Sequence, residues 1–80
     1  MEKEEIIKRI NEILKSILDD ESININYDTK ASDIDGWDSL THISIISSIE
    51  EEFKLSFSAS QVMNFKNVGD MVEAIYNNKK

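Results

Sequence analysis

The stretch "DIDGWDSLTHISII", residues 33–46, holds the boundary on which the reading of this chain turns. Up to Trp37 it is acidic and contains a glycine. From Ser39 onward apolar residues recur at helical spacing. Asp38 stands at the junction, where an aspartate serves as N-cap by accepting from the free N–H groups of the first turn. Ser39 is then the first helical residue and Leu40 the start of an apolar face. Three uses of the junction are open. It is a capped helix, part of a metal loop, or a place where something is attached or activated.

The helix beginning here runs over residues 39–54, with Leu40, Ile43, Ile46, Ile49 and Phe53 read as one face and Ile45 beside it. Thr41, His42, Ser44, Ser47 and Ser48 fall mostly on the solvent side. Glu50, Glu51 and Glu52 crowd the carboxy-terminal end, where the helix dipole disfavours acids. Their position asks for a purpose other than helix stability. Downstream, "SASQVMNF" opens with a capping box from Ser58 to Gln61 and gives a short helix over 58–64. "NVGDMVEAIYNN" gives a fourth over 67–78, with Asn67 as cap and Val68, Met71, Val72, Ile75 and Tyr76 as its stripe. Gly69 falls in its first turn, where glycine does less harm than mid-helix. The "NNKK" tail is expected to fray.

Upstream, Ile6, Ile7, Ile10, Ile13, Leu14, Ile17 and Leu18 recur at steps of three and four, a helix over 4–18. Acids at Glu2, Glu4 and Glu5 suit its amino-terminal end. Residues 19–37 show no helical period. "SININY" alternates as a strand does, yet no other segment offers a partner, so the reading is a long loop. Ile23, Ile25, Tyr27, Ile34 and Trp37 are expected to pin it, with a short helical turn near 31–34. The expectation is one all-α domain over 1–80, a four-helix bundle with a long first loop and a short third helix.

Composition narrows the partners. The chain has 80 residues, sixteen acids against nine bases, and a formal charge of −7. Nucleic-acid binding needs clustered lysine and arginine, and an anionic membrane surface repels this balance. A basic patch on a partner protein is the natural complement. No apolar run approaches the ~20 residues of a membrane span, and the charged amino terminus lacks a signal-peptide core. A monomer in the cytoplasm is expected. There is no cysteine, so any thiol chemistry must come from an added group.

The junction can now be weighed. Gly36 aligned on the obligatory glycine of a calcium loop puts Ala31 where an aspartate belongs and His42 where the bidentate glutamate belongs. Both ends fail, and a single histidine offers no zinc cluster. No metal ligand is assigned. A hydrolytic Ser39 lacks the supporting pattern of a nucleophile elbow. No catalytic residue is assigned. A plain capped helix and an attached phosphate both stay open, the second because a helix amino terminus favours negative charge.

"GWDSLTHISIISSIEEEF" resembles the D-S-L motif and second helix of the acyl carrier protein family. "FSASQVMNFKNVGDMVEAI" resembles that family's short third helix and its fourth. The register holds without a gap from Asp33 to Tyr76. The first helix and loop agree in length and pattern without a specific motif. The resemblance implies a carrier that is not an enzyme. Ser39 would bear 4′-phosphopantetheine, transferred from coenzyme A by a phosphopantetheinyl transferase. The arm's thiol would hold acyl or aminoacyl groups as thioesters. It implies that Asp38 helps place metal and coenzyme during transfer and that Leu40 contacts the transferase. Ile43, Ile46, Ile49, Phe53, Val62 and Ile75 fall at the family's core positions. An acyl-loading or adenylating enzyme and acyl-processing enzymes with basic docking patches would be the other partners. Their recognition is expected to draw on Leu40, Ile45, Glu50 and Glu51.

Two departures stand out. Thr41 and Ser44 replace acids that fatty acid carriers present early in the second helix, and Trp37 replaces a small residue before D-S. They point to a dedicated pathway, such as polyketide or modified-lipid synthesis, rather than the main fatty acid synthesis carrier. The alternative from another class is an acidic helical interaction module without cofactor.

Overall fold

A computed structural model of the chain describes residues 2–78. Among these residues there are four α-helices and no strand. They are α1 (Lys3–Leu18), α2 (Ser39–Phe53), α3 (Ala59–Asn64) and α4 (Val68–Asn78). A single 3-10 turn, Ala31–Asp33, interrupts the first loop where a helical turn is expected. Asn77 and Asn78 of the tail belong to α4, and Lys79 and Lys80 lie outside the described residues.

The helix starts follow from local side-chain chemistry. Asp38 Oδ1 accepts from the N–H groups of Leu40 and Thr41, both at 3.0 Å. Ser58 and Gln61 exchange bonds at 3.1 and 3.0 Å, a reciprocal capping box. Asn67 Oδ1 accepts from Asp70 N at 2.9 Å. α1 ends at Asp19 and α2 at Lys54, both in the left-handed region with φ 51° and 55°. There the cap N–H returns to a carbonyl of the last turn.

α1 packs against α2 and α4 through Ile6, Ile10 and Leu14, all wholly buried. Opposite them lie Ile45, Ile46, Ile49 and Phe53 of α2 and Val68, Met71, Val72 and Ile75 of α4. α2 corrects the expected face. Leu40 is 79% exposed and Ile43 64%, whereas Ile45 is 0%. Steps of three residues drift by about 60° each, so Leu40 ends about 180° from Ile49 around a helix of 3.6 residues per turn. The face that closes is His42, Ile45, Ile46, Ile49 and Phe53. His42, read as solvent-side, is therefore half-buried. Val62, expected in the core, is also only half-buried.

The first loop is secured without a strand. Ile23 and Ile25 point into the core, each 6% exposed. The Asn11 side chain of α1 acts as the missing strand partner. Its Nδ2 donates to Ile23 O at 3.3 Å and its Oδ1 accepts from Ile25 N at 2.8 Å. Further on, the loop caps α4. Val68 N donates to Thr29 O at 2.7 Å and Gly69 N to Tyr27 O at 2.8 Å. These bonds answer two of the amides that a helix start leaves open. They also explain Gly69. A Cβ there would lie 2.6 Å from the Tyr27 ring and 2.8 Å from its carbonyl oxygen. Tyr27, expected to help pin the loop, is 41% exposed and does so through polar bonds. Its hydroxyl donates to Glu73 at 2.6 Å, and Lys3 pairs with the same carboxylate at 2.6 Å. The Lys3 bond first, and the Tyr27 bond second, hold the Glu73 carboxyl below the usual glutamate value.

Candidate functional site at the mouth of the second helix

Ser39 is the first residue of α2 and is exposed. Among the described residues its hydroxyl and its N–H make no hydrogen bond, because Asp38 has taken the capping role. Asp38 is held ionised below the ordinary aspartate range by the amide of Thr41 above all, then by that of Leu40. Only Oδ1 is committed to the cap. Thr41 completes the turn. Its hydroxyl accepts from Asp38 N at 2.8 Å and donates to Gly36 O at 2.7 Å. Gly36 has φ +89°, a conformation that disfavours other residues. Thr41 thus fixes the loop to the helix start rather than standing free on a docking face. The sequence signal was present as D-x-x-T, a capping box with threonine in the place usually held by glutamate or glutamine.

Beside Ser39 a groove of about 490 Å³ runs between α2 and α3. Ile43 and Met63 form its outer lips, and Trp37 and His42 its inner side. Met63 is 85% exposed, so Leu40, Ile43 and Met63 leave three large apolar side chains in solvent around one serine. Single exposed apolar residues are ordinary, but a cluster rimmed by polar groups marks a contact surface. Trp37 and His42 also touch directly, with indole Nε1 donating to imidazole Nδ1 at 3.0 Å. Sequence reading gave His42 no role.

The expected partner-recognition residues separate. Leu40 flanks Ser39 and is fully presented. Glu51 is exposed near the far end of α2. Glu50 is half-buried and accepts from Phe57 N at 2.8 Å, which orders the chain between α2 and α3. Ile45 is wholly buried, so it cannot meet a partner. Glu52, the third acid of the run, pairs with Arg9 of α1 at 2.6 Å. Two of the three acids that looked misplaced therefore have uses inside the fold.

Among the described residues no group of three or more His, Cys, Asp or Glu side chains is placed to hold a metal ion. None of their helices is long and apolar enough to cross a membrane. For a phosphopantetheine arm, by contrast, the residues present fit. An exposed hydroxyl without a partner lies at a helix amino terminus, and an open apolar groove adjoins it. The field of that terminus favours the phosphate, and the groove suits the thin chain beyond it.

The comparisons with known proteins agree with this geometry. Residues 8–75 match the family model described as "Phosphopantetheine attachment site". The chain is 37% identical to an acyl carrier protein homolog of Mycoplasma genitalium, over 96% of this chain and 92% of the relative. It is 32% identical to an acyl carrier protein of Exiguobacterium sibiricum, over 94% and 95% of the two chains. The solution NMR structure of a holo acyl carrier protein from Geobacter metallireducens superposes with a TM-score of 0.83 at 35% identity. That match covers 90% of this chain and 83% of the other. The register that ran unbroken from the D-S-L serine to α4 is thus a family register, and the chain belongs to the acyl carrier proteins, non-catalytic carriers whose prosthetic group is 4′-phosphopantetheine.

Proposed function

We propose that Ser39 is the attachment residue and that the chain carries acyl or aminoacyl thioesters for a dedicated biosynthetic pathway. The observation that carries the attachment is the division of labour at the helix mouth. Asp38 caps, so the Ser39 hydroxyl is exposed and unbonded. Asp38 Oδ2, which makes no hydrogen bond among the described residues, is available to a metal ion that accompanies coenzyme A during transfer. Leu40 offers the transferase an apolar contact one residue on. Once bound, the arm supplies the thiol that this chain lacks. Every step on the cargo then belongs to a partner, and the carrier's part is to raise the effective concentration of cargo at each one.

The dedicated pathway is supported by the surface around Ser39. Thr41 is turned into the capping turn, and Ser44 is neutral. Glu50 and Glu52 are engaged within the fold. Apart from Asp38, the exposed side chains near the serine include three large apolar ones, Leu40, Ile43 and Met63. Partners that dock here gain more from apolar fit than from charge steering.

Two measurements test the reading. The chain is incubated with coenzyme A and a broad-specificity phosphopantetheinyl transferase, and its intact mass is taken. One arm is expected on the native chain and none on Ser39→Ala. An unmodified native chain, beside a control carrier that is modified, would sink the carrier reading in favour of a helical interaction module. The holo protein is then offered to housekeeping fatty acid elongation enzymes. Turnover equal to that of their own carrier would replace the dedicated pathway with main fatty acid synthesis.

A further inference from the structure

The groove beside Ser39 ends on a hydrogen-bonded partition. Trp37 comes from the loop, His42 from α2 and Val62 from α3. An indole N–H only donates, so the His42 Nδ1 it meets at 3.0 Å accepts. The imidazole proton therefore sits on Nε2, which faces the Val62 carbonyl at 3.4 Å. The two rings lie 25° from parallel with centroids 6.1 Å apart. One side chain of α2 thus fastens the loop on one side and reaches α3 on the other.

This bridge borders two spaces of very different size. Outside it lies the groove of about 490 Å³ that holds Ser39, Ile43 and Met63. Against the same pair lies a pocket of about 20 Å³, lined also by Lys66, Asn67 and the buried Met71. Trp37 and His42 line both, together with Ala31 and Phe65. The inner space suits about one water molecule. Met71 is 1% exposed and belongs to the core between the helices. Trp37 is 8% exposed, so a chain pressing inward parts its N–H from His42 where little water can take over the bond.

We propose that the Trp37–His42 bridge sets the length of cargo this carrier can shelter. Short arm-linked chains lie in the outer groove against Ile43 and Met63, and the bridge bars longer ones from the core at Met71. The inference rests on Ser39 as the attachment residue. It names Trp37 and His42 as specificity-determining residues that act on cargo, not on attachment.

The test uses the full chain converted to the holo form and loaded with acetyl, butyryl, hexanoyl or octanoyl groups, each load verified by intact mass. NMR shifts of the Ile43 and Met63 methyls report the groove, and that of the Met71 methyl reports the core. In the native chain the first two are expected to move with chain length while Met71 stays at its acetyl position. In His42→Ala and Trp37→Ala the octanoyl form is expected to move Met71. In these variants its hydroxylamine cleavage should slow about tenfold relative to the acetyl form, the factor that burying roughly two methylenes supplies. His42→Ala leaves the Trp37 packing in place and decides the matter if Trp37→Ala does not fold. A native octanoyl chain that moves Met71, or a folded His42→Ala chain that leaves it still, overturns the bridge as the limit. A chain that accepts no arm shows this in its mass and removes both the attachment and the inference.

Discussion

The loop between α1 and α2 has almost no regular structure, yet it is tied down along its length. Asn11 pairs with both flanks of its apolar segment, α4 draws its cap from Tyr27 and Thr29, and Trp37 is fixed to His42. α3 is a regular helix with a complete capping box, yet it buries no residue fully. Regularity and anchoring are thus separate properties here. The irregular segment holds the fold and the regular one borders the groove beside Ser39. Of the large apolar side chains left exposed, Ile43 and Met63 line the groove between α2 and α3, Leu40 follows Ser39, and Tyr27 lies in the loop.

The difference can be broken most sharply within α2 itself. Ile45→Ala removes a wholly buried side chain and should cost about 2–5 kcal/mol. Ile43→Ala, on the groove, should stay within about 0.5 kcal/mol by urea unfolding. Equal losses would mean that the groove side is as structural as the core. Next comes the loop–α4 junction. Gly69→Ala forces a Cβ against the Tyr27 ring and carbonyl and should cost about 1–3 kcal/mol. Shortening the ring with Tyr27→Leu should recover only part of it, since the carbonyl remains. Full recovery would place the strain in the ring alone.

A smaller effect is expected at the helix mouth. The Asp38 pKa is depressed in the folded chain by its bonds from the Thr41 and Leu40 amides. Its stabilisation is therefore complete above the ordinary value of 3.8 and is lost as pH falls through the lower folded value. Asp38→Asn, which still caps, should flatten the acid limb of the stability curve and leave neutral pH nearly unchanged. A limb as steep as in the native chain would assign the loss to other carboxylates, with Glu73 the first to examine. The smallest effect belongs to the Arg9–Glu52 pair, which is exposed on both sides. Glu52→Gln should change thermal stability slightly at low salt and not at all at high salt. A loss that persists in salt would make this acid a structural anchor of the same rank as Glu50.

These regions were not equally legible in the sequence. The helix starts at Asp38, Ser58 and Asn67 could be read because a cap acts within one turn of its own residue. The all-α class follows from the apolar stripes, and the proposal for Ser39 rests on the motif around it. The face of α2 was misread where three-residue steps were followed as if they did not drift. That puts Leu40 and Ile43 inside, Ile45 only beside the face and His42 outside. The bonds from Asn11 to the loop, from Tyr27 to Gly69 and from Glu50 to Phe57 were not legible. Each joins an ordinary polar group to a backbone atom beyond its own turn, and nothing in the spacing of residues announces such a pairing. The Trp37–His42 contact lies between these cases. Its spacing is local, but its meaning depends on α3 and on Met71, which only the fold brings near.

The bonds from Tyr27 and Thr29 to the start of α4 have a further consequence. They pin one end of a short run of chain, and the link from Trp37 to His42 pins the other. The connecting residues then behave as a ruler whose length fixes where the loop delivers its tryptophan. One residue inserted between Thr29 and Trp37 must either bulge into solvent or pull the indole off its acceptor. Loop length in this carrier is therefore a dimension of the groove, and a change in it would alter that groove without replacing any residue that lines it.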